Sequence, residues 1–180
     1  MVSQAVDRRA FSLAAVSLTT AFGAAVSARA EAAESLGISS ASRAIHQEVQ
    51  FRASPAAVYG ALTDARRFDR IVVLSGAIEA MKLQATPCEI SPEPGGRFSL
   101  FAGYITGRQI ELTQNIRIVQ AWRAGSWAAH VYSIARFELA DDPGGARLVF
   151  DHTGFPDAEA ESLARGWRAH YWEPLAKLLA

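Results

Sequence analysis

The last third of the chain limits the fold most. Residues 147–153 alternate apolar and polar side chains, Gly154-Phe155-Pro156 interrupts them, and residues 157–179 then read as one helix rich in rings, Trp167, Tyr171 and Trp172 among them. A half-buried strand has a period of two and an amphipathic helix a period near 3.6, so the change of period marks a strand feeding a helix. Large rings on such a helix need an apolar surface to lie against, and the strands before it supply one. The implied architecture is α+β: a sheet closed by one long helix around an apolar interior.

The upstream chain agrees with this. Alternation over residues 44–51 places Ile45, Gln47, Val49 and Phe51 on one face of a first strand. Ser54 suits a helix N-cap and Pro55 the first helical position, so a helix opens there with Val58, Ala61 and Leu62 as its apolar side. Thr63-Asp64 reads as a break before a second short helix over residues 65–71. Residues 71–74 fit either a strand or a buried helical turn, and residues 85–90 read as the opening of the next strand. Pro92, Pro94, Gly95 and Gly96 make a turn, after which the chain becomes a meander. Its strands fall at 97–101, 104–112, 116–122, about 129–139 and 146–153, the last two joined by an Asp-Asp-Pro-Gly-Gly hairpin at 141–145. Pro174 is expected to kink or tighten the final helix, because it removes a backbone donor.

Period-two alternation assigns inward faces. These are Tyr104, Thr106, Arg108, Ile110 and Leu112; then Ile116, Ile118, Gln120 and Trp122; then Val131, Ser133, Ala135, Phe137 and Leu139; then Leu148, Phe150 and His152. On the helix, Leu163, Trp167, His170, Pro174 and Leu178 form a stripe, with Tyr171, Leu175 and Leu179 beside it. The candidate cavity lining is therefore Arg108, Gln120, Trp122, Ser133, Phe137, Phe150, His152, Trp167, His170 and Tyr171. The polar members are costly to bury unless they pair with one another or with a ligand. A bulge in any strand would reverse its assignment.

His152 and His170 can approach each other across the interior, either as a general base or as structural links between strand and helix. The four histidines, at 46, 130, 152 and 170, are far apart in sequence, and Cys88 is the only cysteine. Neither metal-ligand spacing nor a disulfide is expected, and no catalytic residue is assigned. Cys88 reads as a small structural residue. Gly95-Gly96 and Gly144-Gly145 fit hairpins rather than phosphate loops, so no cofactor is expected. Eighteen basic residues balance eighteen acidic ones without a basic stripe, which argues against nucleic acid.

The N-terminus is a separate unit. Arg8-Arg9-Ala10-Phe11, an uncharged run to Ala28 and then Ala28-Arg29-Ala30 have the layout of an export signal, and the arginine pair is similar to a twin-arginine motif. Residues 1–30 are read as that signal, 31–43 as a flexible leader and 44–180 as the domain. Loss of three arginines and one aspartate with the signal leaves a net charge of −2, which predicts no attraction to membranes. The expected location is the periplasm or outside the cell, without stable membrane insertion after cleavage; the alternative is an uncleaved membrane anchor.

Several segments together carry a likeness. Residues 49–59 with Leu62-Thr63-Asp64, Pro94-Gly95-Gly96-Arg97-Phe98, Gly107 with Ile110-Glu111-Leu112, residues 117–122, residues 147–152 and Gly166-Trp167 follow in order. With them the chain resembles the SRPBCC, or START-like, superfamily, in the branch similar to the C-terminal domain of the heat-shock-protein-90 ATPase activator. The resemblance implies a helix-grip fold: a curved antiparallel sheet around a long C-terminal helix, with two small helices after the first strand. It implies no single function, since members include co-chaperones, lipid or hormone binders and polyketide cyclases. The leading expectation is an exported, non-catalytic protein that holds a small hydrophobic molecule between sheet and helix. The alternatives are a cyclase- or hydrolase-like enzyme using a cavity histidine and an interaction module related to chaperone activation. Oligomeric state is not legible.

Overall fold

One seven-stranded antiparallel sheet organises residues 44–180, the part of the chain that the computed structural model describes. The signal and leader read at 1–43 lie outside the described residues. The strands are β1 (Ala44–Phe51), β2 (Glu89–Ile90), β3 (Arg97–Leu100), β4 (Ile105–Thr113), β5 (Arg117–Ala124), β6 (Ser133–Asp142) and β7 (Gly145–Thr153). Their order, β1-β7-β6-β5-β4-β3-β2, is a meander from β2 to β7 with β1 added beside β7. The chain must therefore cross the whole sheet between Phe51 and Glu89. Three helices make that crossing: α1 (Pro55–Thr63), α2 (Ala65–Ser75) and α3 (Ala77–Ala80).

Local chemistry explains the crossing. The Ser54 hydroxyl accepts from the Ala57 N–H, and the Asp64 carboxylate accepts from the Arg67 N–H at 2.9 Å. Asp64 thus ends α1 and caps α2. The ambiguous run at 71–74 is helical: Ile71 and Val72 are buried while Val73 and Leu74 face solvent, a contiguous split that a strand does not show. Gly76, at φ 63°, ends α2 in the left-handed conformation. The strand expected over 85–90 shrinks to two residues. The Cys88 N–H donates to the Asp69 carboxylate at 2.7 Å, which ties this segment to α2 instead of the sheet.

Three expectations for the sheet are corrected. In β4 the buried side chains before the bulge are Ile105 and Gln109, while Arg108 is exposed and Ile110 is 49% exposed. The register shifts between Gln109 and Glu111. The expected face holds at Leu112 and fails at Thr106, Arg108 and Ile110, because the extra residue inverts the alternation, while Tyr104 precedes the strand and packs against the core as expected. Arg108 consequently donates to the Gly95 carbonyl at 2.8 Å on the outside. Ile116 lies in the turn before β5 and is 55% exposed. The strand expected from 129 begins at Ser133.

The final helix is not uniform. A short 3-10 turn (Asp157–Glu159) leads into α4 (Ala160–Trp167), a π turn (Arg168–Trp172) and α5 (Glu173–Leu178). Pro174 was expected to kink or tighten the helix; the turn before it is widened. Proline lacks the N–H that would bond four residues back, and its ring clashes with that carbonyl in an α-helix. The Glu173 N–H bonds to the Arg168 carbonyl, five residues back, which relaxes this conflict. The wider turn also brings Trp172 to the face of Trp167, where the two rings stack at 5.6 Å and 18°.

Candidate functional site

The middle of the grip is filled by its own side chains. Phe137 from β6 and Phe150 from β7 are buried against Trp167, with Phe150 and Trp167 ring centres 4.4 Å apart. Trp172 closes the same cluster at 5.1 Å from Phe150. Burying each such ring contributes about 1.5–3 kcal/mol, so this cluster is the mechanical joint between helix and sheet. Gln47 on β1 secures its edge: its amide donates to the Ala164 carbonyl at 2.9 Å and accepts from the Trp172 indole.

His152 belongs to this filled region. Its Nδ1 accepts from the Trp167 indole N–H at 3.0 Å. An indole nitrogen only donates, so the imidazole proton must sit on Nε2. Nε2 then donates to the Ser133 hydroxyl at 2.6 Å, and Ser133 donates to the Trp122 carbonyl at 3.0 Å. The chain is satisfied end to end. Burial pushes the imidazole down to about 3, so it is neutral at ordinary pH. Gln120, also buried, donates from its side-chain amide to the Gln109 side-chain oxygen Oε1 at 3.2 Å. Of the sequence-derived lining, Gln120, Ser133, Phe137, Phe150 and His152 are therefore core, and Arg108 is outside.

The four others converge. Trp122, Trp167, His170 and Tyr171 line a cleft of about 340 Å³ between the first half of the C-terminal helix and the ends of β4 and β5. Ala77 and Met81 approach from the crossing helices, Phe101, Tyr104 and Ile105 from the β3–β4 corner. Glu159, Ser162 and Arg165 form a polar rim on the helix, with Ser126 opposite. The volume is near the lower end of the usual small-molecule range of about 300–1,000 Å³.

Polar atoms in this wall stand out. The His170 Nδ1 is buried and finds no hydrogen-bond partner among the described residues, and the buried Trp122 Nε1 and Tyr171 hydroxyl find none beyond their approach to one another. Burial raises the Tyr171 hydroxyl well above its ordinary value, against a weaker opposing pull from the Trp122 indole. The phenol is thus a neutral donor. Tyr171 is held edge-on by Phe68 at 5.6 Å and beside Phe101 at 5.4 Å.

Phe101, Ala77, Met81 and Gln109 escaped the sequence reading. Phe101 lies at the end of a strand, in the left-handed conformation at φ 51°, where alternation assigns no face. Ala77 and Met81 lie between residues 74 and 85, where the sequence pattern assigns no element. Among the described residues no cluster of three or more His, Cys, Asp or Glu side chains is placed to hold a metal ion. No described helix is long and apolar enough to cross a membrane.

Comparison with known proteins agrees with this architecture. A family model described as Activator of Hsp90 ATPase homolog 1-like protein matches residues 52–180. The mouse activator of 90 kDa heat shock protein ATPase homolog 2 is 30% identical over 98 residues, which cover 54% of this chain and 30% of that protein. The human homolog 1 is 28% identical over 87 residues, 48% of this chain and 26% of that protein. The chain thus spans less than a third of the length of these relatives. A crystal structure of an HSP90 activator from Plasmodium falciparum superposes with a TM-score of 0.62 at 25% identity, covering 77% of this chain and 95% of that one. A protein from Mesorhizobium loti superposes at 0.61 with 19% identity, covering 76% and 96%, which is a likeness of fold alone.

Proposed function

The chain belongs to the Activator of Hsp90 ATPase homolog 1-like family, and from that footing we propose that it is a non-catalytic binding protein. Its ligand is a small, largely apolar molecule held between the C-terminal helix and the ends of β4 and β5. The observation that carries the reading is the cleft: about 340 Å³, walled by the rings of Phe101, Trp122, Trp167 and Tyr171. His152 offers no base to it, being sealed and neutral. A cyclase- or hydrolase-like reading would rest on His170 alone. Native mass spectrometry of the purified protein, followed by solvent extraction, tests the proposal. A discrete mass increment is expected; protein that is reproducibly unliganded and takes up no apolar probe would end it.

The arginine pair and the small-residue site at 28–30 support export, so the ligand is met outside the cytoplasm. The N-terminal mass of protein recovered from cells decides this, with a mature chain starting after Ala30 expected. A second reading follows from the relatives, whose descriptions name activation of the 90 kDa heat shock protein ATPase. Under that reading the purified chain stimulates the ATPase of such a chaperone and its N-terminus stays intact in the cytosol.

A further inference from the structure

We propose that the outer side of α2 docks a second copy of this chain, with Val73 of each protomer seated in the groove beside α2 of the other. The contact does not depend on what the cleft holds. The core side of α2 is Phe68, Ile71 and Val72, all buried. Val73 and Leu74 lie off that side, 79% and 42% exposed, and Val73 is the most exposed large hydrophobic side chain among the described residues. Single apolar residues on a surface are common, but these two belong to a shaped surface. On one side of Val73 runs a groove of about 550 Å³, walled by Val72, Gly76, Ile78, Ala85 and Pro87. On the other is a hollow of about 300 Å³ between Asp69, Arg70 and Leu74. The Asp69 carboxylate accepts from the Cys88 N–H at 2.7 Å, which pins the chain at 85–87 and fixes the far wall of the groove.

The surface is complementary to itself. Val73 is a ridge with a groove beside it, and helices meet by packing ridges into grooves. A two-fold axis beside Val73 puts each ridge in the partner's groove, the isologous contact that most homodimers use. The charges agree. Arg70 borders the hollow on one side of Val73, and Glu79 borders the groove on the other. Both are exposed, and neither has an ion-pair partner among the described residues. Arg70 lies one helical turn before Val73, so the rotation that seats Val73 in the partner's groove brings Arg70 toward the Glu79 that borders it. Symmetry makes that pair twice. A second copy thus supplies both signs of charge where they are needed, whereas an anionic lipid surface or a nucleic acid would set Glu79 against like charge.

Sedimentation equilibrium of the purified chain from about 1 μM to about 1 mM is the test. A monomer–dimer equilibrium without larger species is expected, because a two-fold contact closes on itself. Val73→Asp should weaken dimerisation about tenfold or more. Arg70→Glu and Glu79→Arg should each weaken it about tenfold, because each sets two like-charged pairs across the axis. The double variant Arg70→Glu/Glu79→Arg should return to within about threefold of the original, since the pairs re-form with their signs exchanged. All three side chains face solvent, so urea midpoints of the variants should match the original at concentrations where every chain is monomeric. Ile116→Asp, at a 55% exposed position in the turn before β5, should leave the equilibrium unchanged. A chain that stays monomeric throughout overturns the proposal, and the face is then free for a different protein or for none. Dimers that survive Val73→Asp, equal weakening by Ile116→Asp, or a double variant no tighter than the single ones also overturn it.

Discussion

His152 shows how a single side chain can be misjudged from its type. A histidine at the end of a strand facing an aromatic helix has the look of a base, yet two neighbours fix its tautomer and the core keeps it neutral. Its folded value, near 3, lies below the ordinary 6.5. The unfolded chain therefore binds the proton first, and the stability this group contributes is full above about pH 6.5 and is lost as pH falls toward 3. The loss is on the order of a few kcal/mol. Urea midpoints measured between pH 7 and pH 4 should decline, and the His152 ring signals should not titrate above pH 5; a normal titration near 6.5 would contradict the sealed arrangement. Gly107 is the opposite case, a residue whose lack of a side chain does the work. A Cβ there would meet the Ala121 carbonyl at 2.0 Å and the Phe98 ring at 2.3 Å, with Phe98 directly opposite in the β3–β4 register. Gly107→Ala should cost about 2 kcal/mol or more by overpacking, read as a lower urea midpoint with an unchanged slope.

The final helix is the element whose behaviour departs most from its sequence pattern. At 3.6 residues per turn, Trp167 and Trp172 point in different directions, and the stripe expectation accordingly omits Trp172. The π turn forced by Pro174 rotates Trp172 into the core beside Trp167, so both tryptophans serve as anchors. Gln47 then satisfies the Trp172 indole and the Ala164 carbonyl together. Gln47→Ala removes both bonds and leaves the indole N–H of the buried Trp172 without its partner. A loss of about 1–3 kcal/mol is expected. Hydrogen exchange should show it first as weaker protection over 164–178, because the helix edge opens before the sheet does.

Across the molecule, the two faces of the sheet do different work. The concave face and the helix carry the aromatic cluster. The convex face carries ion pairs that run from β1 to β4: His46 to Asp151, Asp151 to Arg136, Arg136 and Arg117 to Glu138, and Arg117 to Glu111. Exposed pairs of this kind contribute little each, so the ladder aligns strands more than it stabilises them. It does shift one titration. The hydrogen bond to Asp151 at 2.7 Å raises His46 above its ordinary value. This pairing is present in full below pH 6.5 and fades as pH rises through the raised value. Asp151→Asn should return His46 toward 6.5 in an NMR titration, with the His152 signals unmoved.

The alternating runs, the Ser54-Pro55 and Asp64 caps, the hairpin at 141–145 and the ordered segments of the family likeness were enough to read the α+β helix-grip and most strand faces. These signals are local, and local backbone chemistry governs them. The cleft was legible only in part. Trp122, Trp167, His170 and Tyr171 each lie on a regular face of a strand or helix, and all four line the cleft. Arg108 was misplaced by a bulge, Trp172 was omitted because of a π turn, and Phe101 lay in a left-handed corner. Each is a break in periodicity, and a break is invisible to a method that assumes the period. Which rings fill the interior and which are left to face a cleft depends on volumes summed over side chains distant in sequence. Only the packed tertiary structure performs that sum.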